Sequence, residues 1–415
     1  MIKALMPVAA LLISVSILLT GQGLQGTLLP VRASLEDFST IAIGTMGAAY
    51  FFGFTVGCLK GGELLRRVGH VRVFLAMSAL ASASPLLHGL IIDSVVWGSL
   101  RMLTGFCFAV LYIVIESWLN ELASNENRGI IFSTYAMITL TVLAVGQMMT
   151  LLYEPTGLQL FIIASILVSI GAVPVALSTS TTPAHPQVVA VDIKRLFRVS
   201  PSGALGCLAA GLANGSFWGL APVFATSIKN DVSLAAWFMT AAVIGGAIAQ
   251  WPLGLLSDSV GRRKVLVAVA FTGSIVGLAL FVLAPTLAFV SANLLGALWG
   301  ALAFPLYTIA VAYANDYAMP DEYVTLSSGL LLMYGVGATI GPFLASALMT
   351  LQNASGLFLF TALVHVALVA YVTLRFIVSR TKAEQHIAFG DALSATQTAS
   401  QVFEEDIRPQ DQDEQ

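Results

Sequence analysis

The chain has 415 residues, of which 57% are hydrophobic and only 10% charged, with a formal net charge of −3. A soluble domain carries about 25% charged residues, and a mean hydropathy of +0.88 is far from that regime. A water-soluble globule is excluded, while the small net charge says little about partners beyond giving no sign of nucleic acid.

A bilayer core needs about 20 apolar residues per helix. Twelve runs of that kind lie near 5–29, 39–59, 73–92, 95–118, 129–152, 158–178, 203–227, 233–256, 265–284, 287–313, 325–350 and 356–377. Without water in the core, only helices or a closed barrel satisfy the backbone, and runs this long are not barrel strands. The predicted fold class is therefore all-α integral membrane, with twelve transmembrane helices. Span one follows Met1-Ile2-Lys3, but it exceeds a signal h-region and eleven more spans follow, so it reads as a retained helix. Gln22 and Gln25 share one of its faces with Gly21, Gly23 and Gly26. Amides at this depth need partners, either on a neighbouring helix or in a central site.

Span two ends in the basic loop Gly62-Glu63-Leu64-Leu65-Arg66-Arg67-Val68-Gly69-His70. Along span four, Arg101, Gly105, Phe108, Tyr112 and Glu116 recur every three or four residues as one stripe. A charge in hydrocarbon faces a cavity or a partner. Glu116 is fifteen residues from Arg101, roughly 22 Å at the helical rise, so the two do not pair. Arg101 then holds an anionic or zwitterionic solute, responds to protonation elsewhere, or bonds to a neighbouring helix. These alternatives make Arg101 and Glu116 the candidate coupling residues.

Span five carries Gly146-Gln147, and residues 179–202 form the longest break between spans, a linker ending in Lys194-Arg195 to Arg198. It separates a bundle over 1–178 from one over 203–378. The second bundle brings Asn214 and Trp218 in span seven, Trp299 and Tyr307 in span ten, and Tyr334 in span eleven. Together with Gln22, Gln25, Arg101, Tyr112 and Gln147 these are the candidate solute-binding residues. After 378, eight acidic residues stand against three basic ones with few aromatics, so residues 379–415 are expected to be a disordered acidic tail. Laid out alternately, sixteen of the nineteen Lys and Arg fall on the side of both termini, which the positive-inside rule assigns to the cytoplasm. Cys58, Cys107 and Cys207 have no paired spacing, and the five histidines, of which only His365 is clearly within a span, have no metal spacing. Neither disulfide, metal, cofactor nor enzymatic activity is expected, since no nucleophile with a base partner and no nucleotide motif is visible.

The halves repeat each other. At an offset of 192, Gln22, Gly23, Pro30, Gly53, Gly62, Leu64 and Gly69 match Asn214, Gly215, Pro222, Gly245, Gly254, Leu256 and Gly261. At 195, Gly105, Tyr112, Asn120 and Gly146 match Gly300, Tyr307, Asn315 and Gly341. Their order and shared offsets point to duplication, giving two pseudo-symmetric six-helix bundles. Duplicated bundles meeting at a midplane site are a transporter architecture.

Gly254-Leu255-Leu256-Ser257-Asp258-Ser259-Val260-Gly261-Arg262-Arg263-Lys264 resembles the signature loop of the major facilitator superfamily, Gly-x-x-x-Asp-x-x-Gly-Arg-Arg. Arg101-Met102-Leu103-Thr104-Gly105, the acid-and-base pair Glu121 and Arg128, and Gly337-Ala338-Thr339-Ile340-Gly341-Pro342 resemble further motifs of that family. Glu116-Ser117-Trp118, Asn127-Arg128-Gly129, Gln250-Trp251-Pro252-Leu253-Gly254 and Leu306-Tyr307 resemble a bacterial subgroup typified by the transporter YcaD, over essentially residues 1 to 378. The resemblance implies alternating access and puts Asp258 against the start of span five near Arg128, latching the cytoplasmic side with Arg262 in the same loop. The first-half loop departs by placing Arg66 where the Asp belongs. Asp321-Glu322 stand just before span eleven, so a charge-swapped latch, Arg66 or Arg67 against those acids, is expected there.

The function that follows is secondary transport of a small solute across the bacterial cytoplasmic (inner) membrane by a monomer, driven by the proton gradient or the solute's own. The alternatives are a transporter-fold sensor or assembly protein signalling through its tail, for which truncation after 380 discriminates, and a lipid translocase, which requires a laterally open groove.

Overall fold

A computed structural model of the chain describes residues 6–124, 127–177, 192–229, 231–318 and 323–378. Twelve long apolar helices account for nearly all of these. In chain order they are α1 (Ala9–Leu35), α2 (Thr40–Val68), α3 (His70–Leu90), α4 (Ser94–Leu122), α5 (Arg128–Met148), α6 (Gln159–Gly171), α7 (Pro201–Lys229), α8 (Val232–Val260), α9 (Arg262–Leu283), α10 (Phe289–Asn315), α11 (Tyr323–Gln352) and α12 (Gly356–Val378). The second half of the linker and the acidic tail fare differently. Residues 193–199 form a short helix capped by the Asp192 side chain, which accepts from the Arg195 amide at 2.9 Å. Residues 178–191 and the tail from 379 lie outside the described residues.

The helices outrun the hydrophobic runs because backbone chemistry, not hydropathy, ends them. Polar side chains start several: Ser39 accepts from the Ala42 amide, Asp93 from Val95 and Val96, and Asp231 from Ser233. α2 continues past its apolar stretch through Arg66 and Arg67 to Gly69, and α8 continues to Gly261. These two glycines have φ of +90° and +104°, a conformation that side-chain-bearing residues avoid. They are a duplicated pair, and they turn the chain at equivalent corners.

Three further duplicated pairs, Gly53 with Gly245, Gly105 with Gly300 and Gly146 with Gly341, lie where helices cross. A Cβ at Gly53 would collide with the Met102 carbonyl, and one at Gly105 with that of Tyr50, so α2 and α4 touch backbone to backbone. Gly245 and Gly300 stand in the same relation to Ala297 and Ala242 at the α8–α10 crossing. Gly146 against Thr20 and Gly341 against Leu212 repeat the device at α1–α5 and α7–α11. Small residues permit this approach in lipid, where no hydrophobic drive joins helices.

Where the cores sit fixes the overall shape. One buried cluster contains residues of both halves: Leu28, Ile43 and Met46 from the first, Phe217, Phe224 and Met239 from the second. It lies at the end of the bundle away from the termini. Toward the end carrying both termini the core divides into a first-half cluster around Phe74, Tyr112 and Trp118 and a second-half cluster around Leu266, Leu306 and Ile309. The halves are thus joined at one end and parted at the other.

Candidate functional site

The parting encloses a chamber of about 420 Å³. Its floor is sealed by small residues: Gly47 on α2 meets Gly219 on α7 and Pro342 on α11, and a Cβ at Gly44 would strike Ser346. From there its lining climbs α2 from Gly47 to Glu63, sixteen residues or roughly 24 Å, toward the end of the termini. A Cβ at Gly62 would meet nothing, so the mouth is open there. The structure is therefore closed on one side of the bilayer and open on the other.

Nine of the ten candidate binding residues line this space: Gln22, Gln25, Arg101, Tyr112, Gln147, Asn214, Trp218, Tyr307 and Tyr334. On the first-half wall Gln22 is the organiser. Its Nε2 donates to the Tyr50 hydroxyl at 2.8 Å, and its Oε1 accepts from the Tyr112 hydroxyl at 3.0 Å. The duplicated amide on the opposite wall, Asn214, is hydrogen-bonded to the Tyr334 hydroxyl, and Tyr334 packs on Tyr307 at 4.8 Å. Gln147 ties the halves together below, where the Thr240 hydroxyl donates to its Oε1 at 3.3 Å. Trp218 lies face to face on Phe304, 5.5 Å apart and 6° from parallel.

Arg101 stands over the Tyr50 ring at 4.1 Å from its centroid, a cation–π contact between α4 and α2. Apart from Glu63 at the mouth, which pairs with Arg67 on the next turn, Arg101 is the one charged residue of the lining among the described residues.

One expected wall residue stands elsewhere. Trp299 does not reach the chamber: it is fully buried, stacked on Phe217 at 4.5 Å and screened by Phe304, whose ring it meets edge-on. Tyr307 and Phe304 are three residues apart and share a face of α10, whereas Trp299 is eight residues before Tyr307, roughly 80° round the helix. Glu116, the candidate coupling acid, is buried behind the lining, within electrostatic reach of Tyr135 and of Cys58 and Tyr307 in the lining.

Three residues missed in the sequence matter as much as those found. Tyr50, Phe304 and Gln250 all line the chamber, and Gln250 donates to the Thr308 hydroxyl at 3.2 Å. Gly47, Tyr50, Phe54, Cys58 and Gly62 form a helical stripe of α2 that was legible by spacing alone. His70 and His88, too, belong to α3, and both are buried.

At the end of the termini, the signature loop joins an ion-paired cluster of the second half. Asp258 lies in the last turn of α8 and pairs with Arg262 at 3.0 Å, and Arg262 bridges to Asp316 at 3.0 Å with its own side chain almost fully buried. Beside them burial pushes the Tyr317 phenol up, keeping it protonated. Arg128, the expected partner of Asp258, opens α5 over the Phe132 ring at 6.0 Å. Arg66, Arg67 and Glu121 are exposed, while Asp321 and Glu322 lie outside the described residues.

Comparison with known proteins agrees with this geometry. The family model of the Major Facilitator Superfamily matches residues 11–201 and 203–406, one match per half. An uncharacterised MFS-type transporter, YcaD, of Escherichia fergusonii is 28% identical over 361 residues, covering 86% of this chain and 92% of the relative. Its Salmonella newport counterpart is 28% identical over 372 residues, covering 88% and 94%. Among solved structures, the nucleoside transporter NupG superposes with a TM-score of 0.75 at 14% identity, covering 91% of this chain and all of that one. A bacterial homologue of the lysosomal transporter Spinster, inward-facing and occupied, gives 0.73 at 15% identity over 92% and 97%. At such identities these structures bear on fold alone.

Proposed function

The chain belongs to the Major Facilitator Superfamily and is a secondary transporter in a membrane it crosses many times, and from this premise we propose that the chamber carries a small solute across the bacterial inner membrane by alternating access. Both termini then lie in the cytoplasm, on the side rich in Lys and Arg, and the open mouth faces inward. The observation that carries the reading is the shared core at one end and the parted cores at the other. Rocking the halves about the chamber exchanges which end is sealed.

Cys58 supplies a built-in reporter. It lines the chamber, whereas Cys107 and Cys207 are buried in the cores. A membrane-impermeant maleimide is expected to label Cys58 from the cytoplasmic face of inside-out vesicles and not from the outer face, with solute or an imposed gradient changing the rate. Labelling from the outer face alone would falsify the orientation, and a rate that no gradient or solute alters would argue against alternation. Coupling is tested in the same vesicles. If Glu116→Gln and Arg101→Ala both leave gradient-driven uptake intact, protons do not couple through α4.

Lipid translocation is a second reading with an observation of its own. An apolar groove of about 610 Å³ lies between α5 and α8, the seam of the halves, and shares Leu140, Val243 and Ala247 with the chamber. Ala144→Trp plugs the groove from the lipid side without entering the chamber. It stops the movement of a labelled lipid and spares that of a water-borne solute, so the two readings predict opposite results.

A further inference from the structure

The chamber's polar groups are unevenly satisfied, and the imbalance describes a ligand. Among the described residues no carboxylate lies within ion-pair distance of Arg101, and its guanidinium donates to no protein acceptor; the Tyr50 ring is its one recorded contact. A guanidinium carries five N–H donors, and the face of a phenol offsets only about 0.5–2 kcal/mol of the cost of holding the charge there. The donors therefore face the chamber. Around it the walls are aromatic, with the Trp218–Phe304 and Tyr307–Tyr334 pairs and Phe54 in the lining.

We propose that the chamber selects an organic monoanion: a carboxylate or similar planar acid on Arg101, and an aromatic or flat apolar body against the ring pairs. This rests on the reading of the chamber as the solute site. A carboxylate takes two parallel hydrogen bonds from an arginine fork, a match that neither an ester nor an amine reproduces. An amine meets repulsion from Arg101 and finds no acid deep in the lining. A neutral ester of the same shape keeps the ring contacts and loses the charge-assisted bonds.

The test is calorimetric binding to the full-length chain in detergent. The probes are indole-3-acetate, phenylacetate and 4-hydroxyphenylacetate, set against their methyl esters and against tryptamine and tyramine. At least one acid is expected to bind about tenfold or more tightly than its ester and its amine. Arg101→Gln is expected to erase that preference and Arg101→Lys to keep part of it. Equal binding of acid and ester, tighter binding of the amine, no binding by any probe at millimolar concentration, or an undiminished preference in Arg101→Gln overturns the proposal. Should Arg101→Gln fail to fold, the comparison of acid with ester on the unaltered chain decides alone. Anion-selective binding without uptake into proteoliposomes would sink the transport reading and leave this one standing. Uptake of a solute without anion preference would do the reverse.

Discussion

The corners that end α2 and α8 occupy equivalent places in the two halves and hold different chemistry. At the second, Arg262 is buried between Asp258 and Asp316 in an ion-paired cluster. At the first, the duplication puts Arg66, His70 and Glu121 at those three positions. Arg66 and Glu121 are exposed there, and His70 is buried with its Nε2 in a hydrogen bond to Ser117 Oγ at 3.0 Å. Yet the turn glycines Gly69 and Gly261, and the crossings at Gly53–Gly105 and Gly245–Gly300, are alike in both. Backbone geometry has been held constant across the duplication while the charges on it diverged. Helix crossings tolerate almost no change of volume, whereas a charge cluster can be replaced whole by another satisfied set.

The shared geometry is where substitution costs most. Gly105→Leu drives a side chain into the Tyr50 carbonyl, and Gly300→Leu does the same to that of Ala242. Each is expected to cost more than the roughly 1–3 kcal/mol of ordinary overpacking, because a backbone cannot step aside as a rotamer can. Loss of monodisperse protein on gel filtration is the expected outcome in both. Survival of one variant but not the other would break the equivalence of the halves.

The diverged corners should differ next. Arg262→Ala strips Asp316 and Asp258 of their arginine in a buried setting, on the order of 3 kcal/mol. His70→Ala removes one hydrogen-bond partner from Ser117, about 1 kcal/mol beyond lost packing. Thermal unfolding in detergent is expected to rank Arg262→Ala as clearly the worse. The reverse ranking would mean that the ion cluster contributes less than its burial suggests.

Sequence spacing foretold much of this and missed particular things for particular reasons. The spans, the duplication and nine chamber residues out of ten candidates were readable because a polar or aromatic side chain in hydrocarbon is conspicuous. Tyr50 escaped because its role depends on Gln22 and Arg101, which meet it from other helices. Trp299 was misplaced because an aromatic in a span suits a wall and a core equally, and only angular position against Phe304 and Tyr307 separates them.

The two amides related by duplication offer a finer comparison. Gln22 satisfies two tyrosines, Tyr50 and Tyr112, whereas Asn214 contacts Tyr334 and leaves its Oδ1 open. Gln22→Ala therefore releases two hydroxyls and loosens the support under Arg101. At about 1 kcal/mol for each bond, solute binding should fall about tenfold or more. Asn214→Ala loses one bond and one acceptor and should weaken binding by only a few-fold. If Asn214→Ala proves the more damaging, the second-half wall supports the solute more than the first.

The smallest effect belongs to the exposed charges that distinguish the first corner. If Arg66 latches onto Asp321 when the cytoplasmic side closes, Arg66→Asp turns an attraction into a repulsion only in the closed form, since in the open form Arg66 is exposed to water. An exposed ion pair typically contributes about 0.5 kcal/mol, so losing it and gaining a repulsion of similar size shifts the population by about 1 kcal/mol, roughly fivefold, toward the form with an inward mouth. Cys58 lines that mouth and should then react with maleimide up to a few times faster. Adding Asp321→Arg restores the attraction with the signs exchanged and should return the rate to that of the unaltered chain. A single substitution that changes nothing, or a double one that stays as fast as the single, would mean that the first half closes without an electrostatic latch. The burial of Arg262 in its own half would then mean that neither corner reaches across with charge, and that the mouth is closed by packing alone.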